Sequence, residues 1–90
     1  MEVDDTMVIV DEAVHPYGRM LMCHMMSKNL AALHTMAGRI GVSRRWFQDR
    51  PGRTPHYDIC KSKRARAVSL GAVEVGRREV MQVIQHFRKS

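Results

Sequence analysis

His56 and Asp58 stand two residues apart. On an extended segment, side chains at i and i+2 face the same way, with Cα atoms roughly 6.5–7 Å apart. That spacing suits two ligands of one metal, a histidine oriented by a carboxylate, or two groups holding one substrate. It also suits a local Asp–His or Asp–Arg pair that merely pins a loop, and this plainer reading weighs more. No HExxH or similar clustered motif is present, so the sequence assigns no metal. Asp11, His24 and Gln48 each lie at or near the end of an apolar or aromatic run readable as a strand. In α/β sheets, ligands bind beyond the carboxyl ends of strands. Asp11, His24, Gln48, His56 and Asp58 therefore converge if the strands run the same way. His24, inside an apolar run, reads equally well as a satisfied core histidine.

Three histidines remain. His34 borders the apolar stripe of a helix and reads first as a structural residue with one hydrogen bond. His15 precedes Pro16 in a turn, and His86 neighbours Phe87 on a surface helix. Neither receives a role.

Charge is the other signal. Fifteen Lys and Arg oppose nine Asp and Glu, yet residues 1–12 carry five acids and no base, which leaves a net charge of +11 over residues 13–90. Such a field favours an anionic partner, a nucleotide or nucleic acid above all, although it also keeps a small protein soluble. On a helical wheel, Cys60, Arg64, Ala67 and Val68 share one arc, and Lys61 borders it. Two inward-leaning cations near a helix N-terminus suit a bound anion, despite a dipole that disfavours them there. Snorkelling over the core edge is the plainer account. Arg44, Arg45, Arg50 and Arg53 surround Trp46 and Phe47, a mix that binds single-stranded nucleic acid in some proteins. For the only Trp of a small core, an anchoring role is the favoured expectation.

The elements that must position these groups can be read in outline. Met7–Val10, with Asp11 at its end, reads as a strand buried on both faces. Pro16-Tyr17-Gly18 marks a turn within residues 12–18. Arg19–Met26 reads as a second strand, antiparallel to the first because the link is too short for a crossover. Ser27 is placed as the N-cap of a helix striped by Leu30, Leu33, Ala37 and Ile40 and stopped at Gly41. Arg45–Gln48 is read as a third strand and residues 49–55 as a loop. A helix over Cys60–Leu70, a brief strand at Ala72–Val75 and a helix striped by Val80, Val83, Ile84 and Phe87 complete the chain. The order β-β-α-β-α-β-α implies an α/β fold, a two- or three-layer sandwich on a mixed, mostly parallel sheet of about four strands. Residues 1–6 read as an acidic lead-in and 7–90 as a single domain.

Several of these pieces together resemble a family of bacterial and phage proteins catalogued as domain of unknown function 4031. The marks are the apolar strand ending in Asp11, Pro16-x-Gly18-Arg19, His24, Leu33-His34, Arg45-Trp46-Phe47-Gln48, His56-Tyr57-Asp58, and Lys63-Arg64-Ala65-x-Ala67-x-x-Leu70-Gly71-Ala72-Val73. The chain departs from the pattern at Met22, at Gly76 and in a longer segment over residues 50–55. The resemblance implies a small α/β fold and no assigned activity.

Other features exclude whole classes. The longest apolar run, Met20–Met26, is interrupted by His24 and is far shorter than the ~20 residues of a membrane span. The acidic start is unlike a secretory signal. Cys23 and Cys60 are too few for a disulfide scaffold and read as reduced, buried thiols. The chain thus reads as cytoplasmic, with no membrane partner and with homo-oligomerisation left open. The favoured function is binding of a phosphorylated ligand, a nucleotide or nucleic-acid end. Arg19, Lys61 and Arg64 would hold phosphate, and Gln48, Asp11 and His34 would line the cleft. The alternative is a phosphoester hydrolase or nuclease with His56, Asp58 and His24 as catalytic candidates, with or without a divalent metal. A third reading is a non-catalytic interaction protein, its Met-rich segment (Met20, Met22, Met25, Met26) facing a partner. The sequence leaves any cofactor open.

Overall fold

The computed structural model describes residues 1–12 and 14–89. Strand β1 (Val8–Val10) is followed by β2 (His15–Tyr17) and the long β3 (Met20–Ser27). Helix α1 (Leu30–Arg39) and a short 3-10 turn at Arg44–Trp46 lead to β4 (Tyr57–Cys60). Helix α2 (Lys61–Ser69), β5 (Val73–Glu74) and α3 (Arg77–Arg88) close the chain.

The sheet is built around β3. Its C-terminal half pairs antiparallel with β1 (Ile9 opposite Met26), and its N-terminal half pairs antiparallel with β2 on the same side (His15 opposite Met22). Strand β4 pairs antiparallel along the other edge, with His24 opposite Asp58. Only β5 runs parallel, beside β1. A mixed sheet is thus found, but it has five strands and is mainly antiparallel, not mostly parallel as expected. Two pairings change the balance: β4 runs antiparallel to β3, and β2 and β3 are joined by a two-residue turn at Gly18-Arg19. Gly18 takes a φ of 60° there, a conformation that costs glycine little. Part of the expected turn over residues 12–18 is therefore strand. Ala13, also in that span, lies outside the described residues.

Strand alternation distributes the core. Val8, Val10, Cys23, Met25, Tyr57 and Ile59 face one side and pack with Leu33, Met36 and Ala37 of α1 and Ala67 of α2. Ile9 and Met26 face the other side and pack with Val3, Val75 and Val83, the last from α3. Helices thus cover both faces. Truncating a fully buried residue such as Leu33 to Ala would cost about 2–5 kcal/mol. Met25 and Met26 are core residues, whereas Met20 is exposed. Helices α1 and α2 stop where the sequence places their stops: Gly41 and Gly71 have positive φ, and Val42 and Ala72 donate back to the Ala37 and Ala67 carbonyls.

Two local expectations are corrected. Asn29, not Ser27, caps α1, its side chain accepting from the Ala32 N–H at 3.0 Å. Ser27 is the buried end of β3, and its hydroxyl accepts from the Asn29 N–H. Residues Arg45–Gln48 are not a strand. The 3-10 turn there leaves Trp46 57% exposed, while Phe47 turns inward against His34 and Tyr57. The segment supplies one aromatic to the core, and it is Phe47 rather than the expected Trp46. Among the described residues, no helix is long and apolar enough to cross a membrane.

Candidate metal centre

The pairing of β3 with its two neighbours builds the site. Tyr57 and Ile59 point into the α1–α2 core, so Asp58 between them points to the opposite face. His24, opposite Asp58, and Met22, opposite His15, lie on that same face. The apolar cluster around α3 reaches Met26 of β3 and includes no residue of β2 or β4. His15, His24 and Asp58 thus stand beside that cluster, on the α3 side of the sheet.

Asp58 Oδ1 is the point of convergence. The Nε2 atoms of His15 and His24 each lie 3.8 Å from it, and His56 Nε2 lies 3.4 Å from it. One ligand atom from each of His15, His24 and Asp58 fits within a set whose members all lie within 4.8 Å of one another. The His15 and His24 rings stack at 4.7 Å, and His56 meets His24 edge-on at 5.3 Å.

The outer hydrogen bonds fix what these atoms offer. His24 Nδ1 is 2.7 Å from Asp11 Oδ2, and the other Asp11 oxygen accepts the His24 main-chain N–H, also at 2.7 Å. His56 Nδ1 is 2.9 Å from the Thr54 carbonyl, which can only accept. In their neutral forms both rings carry the proton on Nδ1 and present a lone pair at Nε2. Gln48 Nε2 donates to Asp58 Oδ2 at 2.6 Å and leaves Oδ1 as the inward oxygen. Among the described residues, two buried side-chain atoms, His15 Nε2 and Asp58 Oδ1, have no hydrogen-bond partner. Lone pairs gathered around an unpaired carboxylate oxygen are costly unless a cation sits among them. Ligands about 2.0–2.1 Å from a tetrahedral ion stand about 3.3–3.4 Å from one another, so the 3.8 Å contacts of His15 and His24 with Asp58 Oδ1 would have to shorten by about half an ångström around an ion.

The electrostatics agree. Burial works to raise the Asp11 pKa, but the hydrogen bonds from the His24 ring and main chain outweigh it and hold the carboxyl below its ordinary value. The same ring contact raises His24 against the opposing effect of burial. A carboxylate behind an imidazole is the arrangement that makes a histidine a stronger metal ligand.

The residues singled out from the sequence divide into four groups. Asp11, His24, Gln48, His56 and Asp58 do come together. Arg64 is close by but committed elsewhere. Its Nε donates to the Asp11 carbonyl at 2.7 Å, and Nη1 faces Glu74 at 3.5 Å, so it braces the end of β1. Lys61 is exposed, as is Arg19 beside the hairpin turn, and neither forms an ion pair or side-chain hydrogen bond among the described residues. His34 is on the opposite face, 2.8 Å from the Tyr57 hydroxyl, and burial lowers its pKa. It is a structural residue and not part of the cleft.

His15 is the residue that sequence reasoning missed. Taking Gly18-Arg19 as a two-residue hairpin turn would have set His15 opposite Met22, one pleat from His24. Of the thiols, Cys23 is buried, with desolvation pushing its pKa up to about 12, while Cys60 is only partly buried at the start of α2.

No curated protein and no solved structure matches the chain. One family model does match, over residues 8–87, and it takes in Asp11, His15, His24, Gln48, His56 and Asp58. The chain belongs to the family described as protein of unknown function DUF4031.

Proposed function

We infer that this protein is a divalent-metal hydrolase acting on phosphate esters, with its ion held by His15, His24 and Asp58. The observation that carries this reading is a pair of buried atoms, His15 Nε2 and Asp58 Oδ1, which have no hydrogen-bond partner among the described residues and lie 3.8 Å apart with His24 Nε2 beside them. Three protein ligands leave a position for water, the pattern of catalytic rather than structural zinc. A zinc ion there would supply a Lewis acid and a water activated near neutral pH.

His56 supplies the proton chemistry. Its Nε2 lies against the same carboxylate oxygen without belonging to the three-ligand set, so it is placed to take a proton from the bound water. Attack of the activated water on phosphorus would break the bond to the leaving oxygen, and His56 would return to that oxygen the proton it had taken. The positive field over residues 13–90 supports an anionic substrate. Exposed Arg19 and Lys61, without ion pairs among the described residues, are candidates to hold it.

The test is turnover of bis(p-nitrophenyl) phosphate by protein without a histidine tag, loaded with zinc or manganese. The expected result is hydrolysis that chelation stops and metal restores. His56→Ala should lower kcat roughly 10²–10⁴-fold while the ion stays bound. Metal-loaded protein that turns over no phosphate ester, or a His56→Ala variant with full activity, would refute the reading.

A further inference from the structure

The segment leading into the metal centre carries a second feature that hydrolysis alone does not need. Trp46 is 57% exposed, although it is the only Trp of the chain and the residue type a small core would use first. The Arg45 guanidinium lies over its ring, 4.8 Å from the centroid. Immediately downstream, Gln48 and His56 pair through both main-chain hydrogen bonds, at 2.9 and 3.1 Å. They form the two feet of a loop over residues 49–55, and both feet touch Asp58 with their side chains.

The loop tip is a tight turn. The Arg53 N–H donates to the Arg50 carbonyl at 3.0 Å, with Pro51 and Gly52 between them and Gly52 at φ 80°. Pro followed by a positive-φ glycine is the signature of a type II turn, which holds its first and last Cα atoms within about 7 Å. Two like-charged side chains are thus set side by side at the tip. Arg44, Arg45, Arg50 and Arg53 are all exposed, and among the described residues none of them forms an ion pair. An unpaired cluster of guanidiniums next to an exposed indole fits phosphates alternating with flat bases. Trp46 Cα is at most about 7 Å from that of Gln48, whose side chain reaches Asp58.

We propose that Trp46, with Arg44, Arg45, Arg50 and Arg53, is a binding platform for single-stranded nucleic acid, which makes a single strand the substrate of the adjoining metal centre. The substrate assignment rests on the hydrolase reading, whereas the binding platform does not. A single strand fits better than a duplex because only unpaired bases offer a face to the indole. The arginines track the backbone and carry no sequence preference.

The lone Trp gives a direct readout. Titrating the purified full chain with oligo(dT) at low salt should quench Trp46 fluorescence. The affinity should fall with rising salt, and a duplex of equal length should bind more weakly. Trp46→Ala, followed by anisotropy of a labelled oligonucleotide, should bind about tenfold or more weakly, with Trp46→Phe recovering part of the loss. Removing Arg50 or Arg53 should lower the slope of log affinity against log salt by about 0.7 each. No quenching, equal or tighter binding of duplex, or unchanged affinity in Trp46→Ala would overturn the platform. Metal content measured on the same samples separates the two readings. Binding without a metal ion leaves the platform standing and removes the hydrolase, and a metal ion without binding does the reverse.

Discussion

At the residue scale, binding of an ion would depend on which nitrogen of His24 carries its proton. Asp11 decides this, because one of its oxygens already accepts the His24 main-chain N–H and the other faces ring Nδ1. In Asp11→Asn, the oxygen would keep the main-chain contact and the amide NH₂ would face the ring as a donor. The imidazole proton would then move to Nε2 and block the lone pair aimed at the ion. Metal affinity in that variant should fall about 10- to 100-fold, with the fold retained, as measured by calorimetric titration. Unchanged affinity would mean that the ion does not use His24. The same residue shows how far the sequence could be read. The His56–Asp58 pair was legible from its spacing, whereas the grouping with Asp11, His24 and Gln48 rested on a shared strand direction that the antiparallel sheet does not have. The place of Arg64 was not legible, because a wheel gives the direction in which a side chain leaves its helix and not the carbonyl it reaches.

At the element scale, the strands place the centre and the helices hold the strands. The β2–β3 hairpin brings His15 into line with His24 through a glycine turn, and β4 brings Asp58 opposite His24. Hairpin register was not legible because residues 12–18 carry turn residues on a segment that is partly strand, and local composition cannot tell a turn from an edge strand that contains Pro16. The helix stops at Gly41 and Gly71 were legible because glycine at a helix end has one strong local cause. Helix α3 offers a test of the fold by pH. Glu79 accepts the Gly76 N–H at 3.0 Å, and that bond first of all lowers its pKa below the ordinary value. A carboxylate whose folded pKa is depressed contributes stability above the ordinary carboxylate range and loses it as pH falls through the folded value. The melting temperature should therefore fall more steeply for the native chain than for Glu79→Gln as pH drops from about 5 toward 3. Parallel profiles would mean that Glu79 does not cap α3.

At the scale of the whole molecule, the two faces of the sheet have different jobs. One is filled by α1 and α2 and holds the larger apolar cluster. The other packs against α3 around β1 and β5 and carries the His–Asp cluster on β2, β3 and β4. The sequence indicated an α/β fold but not this division, because the parity of a strand shows which residues share a face and not which helix covers it. The antiparallel sheet also explains how the polar residues converge. They meet across paired strands, not at a common row of strand ends. The apolar side chains at the hairpin, Val14, Tyr17, Met20 and Leu21, are exposed around the same corner, so His15 is carried by an element with few contacts of its own beyond β3. An ion bound by His15, His24 and Asp58 would join that hairpin to β4 across β3.

Metal content of the chain, purified without a histidine tag and equilibrated with zinc, tests the central claim most directly. One tightly held ion per chain, lost on His15→Ala and on Asp58→Asn while the circular dichroism spectrum is kept, is the expected result. No bound ion, or an ion held equally well by both variants, would contradict it.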